Sequence, residues 1–152
     1  MKYKIRFGLI GIMLILAMVF VSGAQAGRPQ NLILDWRQVV PSGSGDPNMD
    51  GMATIDVNPG QAELCYTLRV FIYASFFPPT GATINRAPIG ENGPVVVDLH
   101  PDFGPIGQPD TSGCLTINSS LAHDIQSHPT QYYLLVTDTD YPDGAARAQL
   151  TK

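Results

Sequence analysis

Between residues 63 and 73 apolar residues recur at every second position: Leu64, Tyr66, Leu68, Val70 and Ile72 fall on one face, and Cys65, Phe71 and Tyr73 fall on the other. A period of two sustained over such a run suits a half-buried strand, whereas a helix would scatter those apolar residues around its axis. Shorter runs of the same kind recur at 31–40, with Leu32, Leu34 and Trp36 on one face, and at 52–57, 82–86, 94–99, 113–117, 132–137 and 145–150. Turn chemistry separates them: 41–50, the tight Asn58-Pro59-Gly60-Gln61, Gly and Pro clusters, and 138–144. Pro78 and Pro79 forbid further ladder bonding beyond the long strand. Only 119–127 has helical spacing, with Ser119 or Ser120 as cap, Leu121 and Ile125 four apart, and Pro129 as the stop. About eight short strands and one short helix predict an all-β, antiparallel sandwich or small barrel.

The N-terminus bears on the compartment. Lys2, Lys4 and Arg6 precede an apolar stretch at 7–21, which is short for a membrane span, and Ala24-Gln25-Ala26 supplies the small residues that a signal peptidase accepts. Residues 1–26 therefore read as a cleavable signal peptide, leaving 27–152 as one domain with no membrane span after processing. The expected location is secreted or periplasmic. The leader carries three basic residues and no acid, so the mature chain has six basic against thirteen acidic residues, a net charge of −7. Such a surface offers no basic patch for nucleic acid.

Cys65 and Cys114 are the two cysteines. In an oxidising compartment pairing is the default, and both lie off the core faces of their strands, so neighbouring strands would bring the thiols face to face. Closing that loop is worth about 4 kcal/mol on the chain-entropy model. A redox-active or metal-binding pair is the alternative, without the C-x-x-C spacing that usually marks one.

A set of ordered motifs runs through most of the mature chain: Gly45-Asp46-Pro47, Asn58-Pro59-Gly60-Gln61 before Leu64-Cys65-Tyr66, Asn92-Gly93-Pro94-Val95-Val96-Val97, Gly113-Cys114, Tyr132-Tyr133, and Pro142-x-Gly144-x-x-Arg147-x-Gln149-Leu150. Together they resemble the CHRD domain, the module repeated in chordin and found singly in exported bacterial proteins. The resemblance implies an immunoglobulin-like or superoxide-dismutase-like β-sandwich. It also implies a binding role, since chordin binds growth factors outside cells. Family members typically carry His-Ile-His-x-Gly ahead of the Asn-Gly-Pro segment and Val-His-Thr near the end. Here the matching positions are Thr83, Asn85 and Thr137, so a metal cluster built on such histidines would be lost in this chain.

The residues offer other readings. His123 and His128 would point about 140° apart on a helix, unlike a metal-binding i, i+4 pair. His100 reads as a loop residue. Asp46-x-Asn48-x-Asp50-Gly51 matches the first half of a calcium loop, with Asp56 as a further ligand, but the twelfth position is Val57. Asp138, Asp140 and Asp143 form a second, weaker cation candidate; a turn dense in acids is the ordinary alternative for both. No nucleophile elbow, P-loop or dinucleotide fingerprint is present. Phe76 and Phe77 in the loop before Pro78 form an apolar tip of the kind that marks partner sites; the alternative is that a loop folded over the end of the sandwich buries both. The expected function is thus a non-enzymatic exported binding or scaffolding module without a required cofactor. Its contact surface would be Phe76, Phe77, Thr83, Asn85 and Arg86, facing an extracytoplasmic protein or envelope component. The alternatives are a metal-dependent, dismutase-like redox enzyme and a structural envelope component.

Overall fold

The computed structural model describes residues 27–73, 78–104 and 110–152. Residues 1–26, expected as a signal peptide, and the Phe76 and Phe77 positions lie outside the described residues. Eight strands follow in chain order: β1 (Gln30–Asp35), β2 (Met49–Asn58), β3 (Glu63–Ile72), β4 (Gly81–Arg86), β5 (Val95–Asp98), β6 (Asp110–Thr116), β7 (Tyr132–Thr137) and β8 (Ala146–Gln149). One helix, α1 (Ser119–Ser127), precedes β7.

All pairings are antiparallel, and the strands form one curled sheet in the order β5-β4-β7-β8-β1-β2-β3-β6. Its two four-stranded halves meet at β1 and β8 through a single bridge, Asp35 with Arg147. That weak seam lets the sheet fold over itself, so the inner faces of both halves bury one shared core, including Leu34, Ile55, Leu64, Leu68, Ile84 and Leu134. Each such side chain stabilises the fold by about 1.5–3 kcal/mol relative to exposure. The all-β antiparallel fold expected from the alternating runs is the fold found.

Strands β2 and β6 each begin three residues earlier than expected, and two further elements differ for local reasons. The first strand stops at Asp35 instead of running to Val40, because the Asp35 carboxylate accepts the Arg37 amide at 2.8 Å and starts a 3-10 turn at Trp36–Gln38. Trp36 consequently leaves the strand face. Helix α1 spans the expected residues, but its cap is Asn118, whose Oδ1 accepts the Ser120 amide at 2.9 Å; Ser120 donates its own hydroxyl to the same oxygen. An amide side chain one residue earlier outcompetes the serines for the free first-turn N–H groups.

Candidate functional site

Alternation on β4, β7 and β8 sends one set of side chains into the core and the other set outward. The outward set, Thr83, Asn85, Tyr133, Leu135, Arg147 and Gln149, would face solvent on an open sheet. Instead the loop between β4 and β5, residues 87–94, lies across it. Arg147 is only 1% exposed. Its guanidinium donates to the carbonyls of Glu91 at 2.8 Å and Pro88 at 3.2 Å and to Gln149 Oε1 at 2.9 Å, while stacking 3.6 Å above the Tyr133 ring. Burial pulls its pKa below the ordinary arginine value. Gln149 Nε2 adds a donor to the Ala87 carbonyl at 3.1 Å.

At the other end of the loop Thr83 donates to Asn85 Oδ1 at 2.7 Å, and the Asn85 amide donates to the Gly93 carbonyl at 3.1 Å. The Gly93 N–H donates to the Tyr133 hydroxyl at 3.1 Å. Gly93 passes so close that a Cβ there would stand 1.9 Å from the Arg86 carbonyl oxygen, which explains why the Asn92-Gly93-Pro94 motif needs glycine at its centre.

Beside this loop opens a cleft of about 550 Å3. Asn85, Tyr133 and Leu135 form its floor; residues 39–41 with Ser44 form one wall, Asn92 and Gly93 a second, and 140–144 a third. Asn92 Nδ2 donates to the Val40 carbonyl at 3.0 Å and ties two walls together. The charged groups lining the cleft are Asp140 and Asp143, with no basic side chain among its described lining residues. A second cleft, of about 510 Å3, is built largely from chain-end segments and carries Arg28 and Lys152.

The expected site residues separate under this geometry. Thr83, Asn85 and Thr137 do share one outward face of neighbouring strands, in register with Leu135, Tyr133 and Gly81. Thr83 and Asn85 are bonded to each other, and Thr137 shares a hydroxyl contact with Thr80 at 3.3 Å. Arg86 is tied to helix α1 through Asp124 at 3.1 Å. Asp124 also accepts from the Tyr132 hydroxyl at 2.5 Å and meets His128 Nδ1 at 2.9 Å. Hydrogen bonds from Tyr132 and His128 hold the Asp124 carboxyl below the usual range, and burial together with Asp124 pushes the Tyr132 hydroxyl up to about 12. His128 therefore faces its own helix neighbour, and His123 is exposed apart from it.

The acidic candidates regroup. Asp50 and Asp56 sit six positions apart on β2, roughly 20 Å along an extended strand, so Asp56 does not reach the 46–50 turn. Asp50 accepts from the Tyr73 hydroxyl at 3.1 Å. Asn48 donates its backbone and side-chain N–H groups to Asp46 Oδ1, so it does not converge with Asp46 as a second ligand. Asp46 is buried, and its amide donates to the Ala145 carbonyl at 2.9 Å, which fastens the 46–49 turn to the 138–145 turn. Three potential ligand atoms come within 4.8 Å of one another at Glu63, Cys65 and Cys114 among the described residues, and there both sulfurs belong to the disulfide.

Asp138 lies at that junction. Its Oδ1 accepts the amides of Asp140 at 2.9 Å and Tyr141 at 2.6 Å, while the buried Oδ2 has no partner among the described residues. Burial raises its pKa, against the pull of the two amides and with a further push from Asp46 and Asp140. A raised folded pKa means that the folded state binds this proton more tightly than the unfolded state does. The stability it contributes is present below the unfolded pKa and is lost as pH rises through the folded one. Asp138→Asn keeps the Oδ1 acceptor and removes the buried charge. Its melting temperature is expected to exceed wild type by a few degrees at pH 7, with the gap closing below pH 4; a variant less stable at pH 7 would contradict this account.

The fold and this face define a class: a small all-β module, stapled by a disulfide, with one face capped by its own loop and a cleft beside the cap. A family model for the CHRD domain matches residues 31–150, and the chain belongs to the CHRD domain family. No curated protein and no solved structure matches it. Three of the motifs that carried the resemblance meet at the loop clamp, through Gly93, Tyr133, Arg147 and Gln149. Membership of this family suggests a small binding or scaffolding module.

Proposed function

We propose that this protein is an exported, non-enzymatic binding module whose cleft receives a positively charged, partly apolar segment of an extracytoplasmic partner, either a protein or an envelope component. The observation that carries the reading is the lining of the cleft: Asp140 and Asp143 lie in one wall beside the Tyr133 ring and Leu135 of its floor, with no basic lining group among the described residues. A net charge of −7 on the mature chain favours approach by a cation. The 1–26 leader and the disulfide both suit an oxidising compartment outside the cytoplasm. Among the described residues no helix is long and apolar enough to cross a membrane. On the outward face of β4, β7 and β8 the side chains of Asn85, Tyr133, Arg147 and Gln149 are occupied in holding the 87–94 loop, which favours a scaffold over a reacting centre. The reading needs no cofactor.

The single tryptophan, Trp36, has its ring near Gly43 at the edge of the 39–44 wall, so its fluorescence can report occupancy. Titration of the mature chain with short Arg/Lys-aromatic peptides is expected to give saturable quenching that weakens with salt. The double variant Asp140→Asn/Asp143→Asn should lose at least tenfold in affinity with an unchanged melting temperature. Equal binding of acidic peptides, or no loss in the double variant, would overturn the reading. Stoichiometric copper or zinc retained by the exported protein in native mass spectrometry would replace it with the dismutase-like alternative.

A further inference from the structure

Asp56 is on the outward face of β2, opposite Cys65 of the disulfide. Its Oδ1 is buried and has no hydrogen-bond partner among the described residues, an arrangement that costs free energy unless a donor arrives. What covers that oxygen is Gly27. A Cβ on Gly27 would stand 1.9 Å from Asp56 Oδ1 and 2.7 Å from the Val57 carbonyl oxygen, so only glycine fits. Backbone geometry then places the Gly27 nitrogen within roughly 4.4 Å of the same oxygen. In the unprocessed chain this nitrogen is a neutral peptide N–H with one donor. Cleavage after Ala26 would make it the first atom of the mature protein.

We propose that signal removal completes the fold here: the new Gly27 α-ammonium pairs with the Asp56 carboxylate and fastens the start of the mature chain to β2. The proposal rests on the export reading above, specifically on cleavage between Ala26 and Gly27. The chemistry is hydrolysis by the exporting cell's peptidase. Water gives its hydroxyl to the Ala26 carbonyl carbon and a proton to the Gly27 nitrogen, and solvent supplies a further proton to make the ammonium. One neutral donor becomes three charged donors next to a buried acceptor, and bonds of that kind are about twice as strong as neutral ones.

The test separates the cleavage from the pairing. The N-terminal sequence and intact mass of the exported protein report where the chain is cut; a start other than Gly27 would overturn both the premise and the pairing. Melting temperatures are then compared for the chain starting at Gly27, a chain with one extra alanine ahead of it, and a chemically N-acetylated Gly27 form, each with Asp56 and with Asp56→Asn. With Asp56 present, the Gly27 start is expected to melt about 5 °C above the other two forms. In the Asp56→Asn background the three should coincide. Equal melting temperatures with Asp56 present, or a difference that survives Asp56→Asn, would overturn the pairing even where cleavage after Ala26 holds.

Discussion

Replacing Arg147 by methionine is expected to destabilise the mature domain by about 3 kcal/mol, equivalent to roughly 10 °C in melting temperature, and to release the 87–94 loop. Methionine fills much of the volume but donates nothing. The carbonyls of Pro88 and Glu91 lose their charged donor, and the ring of Tyr133 loses the cation 3.6 Å above it. Burying an arginine has its own cost, visible in its lowered pKa, so the change would be nearly neutral if the loop carbonyls left together with the charge. They do not leave; they must find water, and the loop opens to let it in. Amide hydrogen exchange at residues 87–93 is therefore expected to accelerate well beyond the global change. Arg147→Lys should recover only part of the loss, because an ammonium lacks the planar fork that reaches both carbonyls. A loss below 1 kcal/mol with unchanged loop protection would show that Arg147 does not hold the loop.

Arg147 also marks where sequence reasoning stops. Ala146-Arg147-Ala148-Gln149 alternates small and polar residues, the pattern of a strand with one wet face, and nothing local says that a loop from sixty residues earlier covers that face. The inward halves of the strands were legible because each carries its own record: Leu64, Leu68 and Val70 on β3, Leu134 and Val136 on β7, all buried as their period required. Local competition was harder to read. At the start of α1 three consecutive side chains can cap, and Asn118 takes the position. At the end of β1 the Asp35 carboxylate turns the chain before Trp36 can extend the strand.

The candidate cleft was less legible still. Its walls come from 39–44, 92–93 and 140–144, three turns that meet only because β1 and β8 join the two halves of the sheet. Two of these turns were visible as family motifs, Asn92-Gly93-Pro94 and Pro142-x-Gly144, but a motif records only which residues recur together. The acids show the same gap. Read along the chain, Asp46 groups with Asn48 and Asp50; in space its charge acts on Asp138, about ninety residues on, because the Asp46 amide bonds Ala145 at the base of the 138–145 turn.

Removing the disulfide, by Cys65→Ala with Cys114→Ala, is expected to cost about 4 kcal/mol and roughly 15 °C. The two residues are direct partners in the β3–β6 register, with Cα atoms 4.0 Å apart and a sequence separation of 49. The long closed loop sets the size of the effect: cross-linked, the unfolded chain has far fewer conformations to lose. The location sets which part feels it first. Strand β6 is an edge, none of its residues is fully buried, and among the described residues it pairs with β3 alone, its further ties including the partly buried Leu115, a Tyr66–Thr111 hydrogen bond and the exposed Arg69–Asp110 ion pair. Ladder bonds at an exposed edge open easily. Hydrogen exchange of the double variant should therefore show β6 amides losing protection before those of β2 and β7, and oxidised wild type should show no such order. If the variant instead melts within a few degrees of wild type with β6 still protected, packing of Leu115 and Ile117 holds that edge and the staple is redundant.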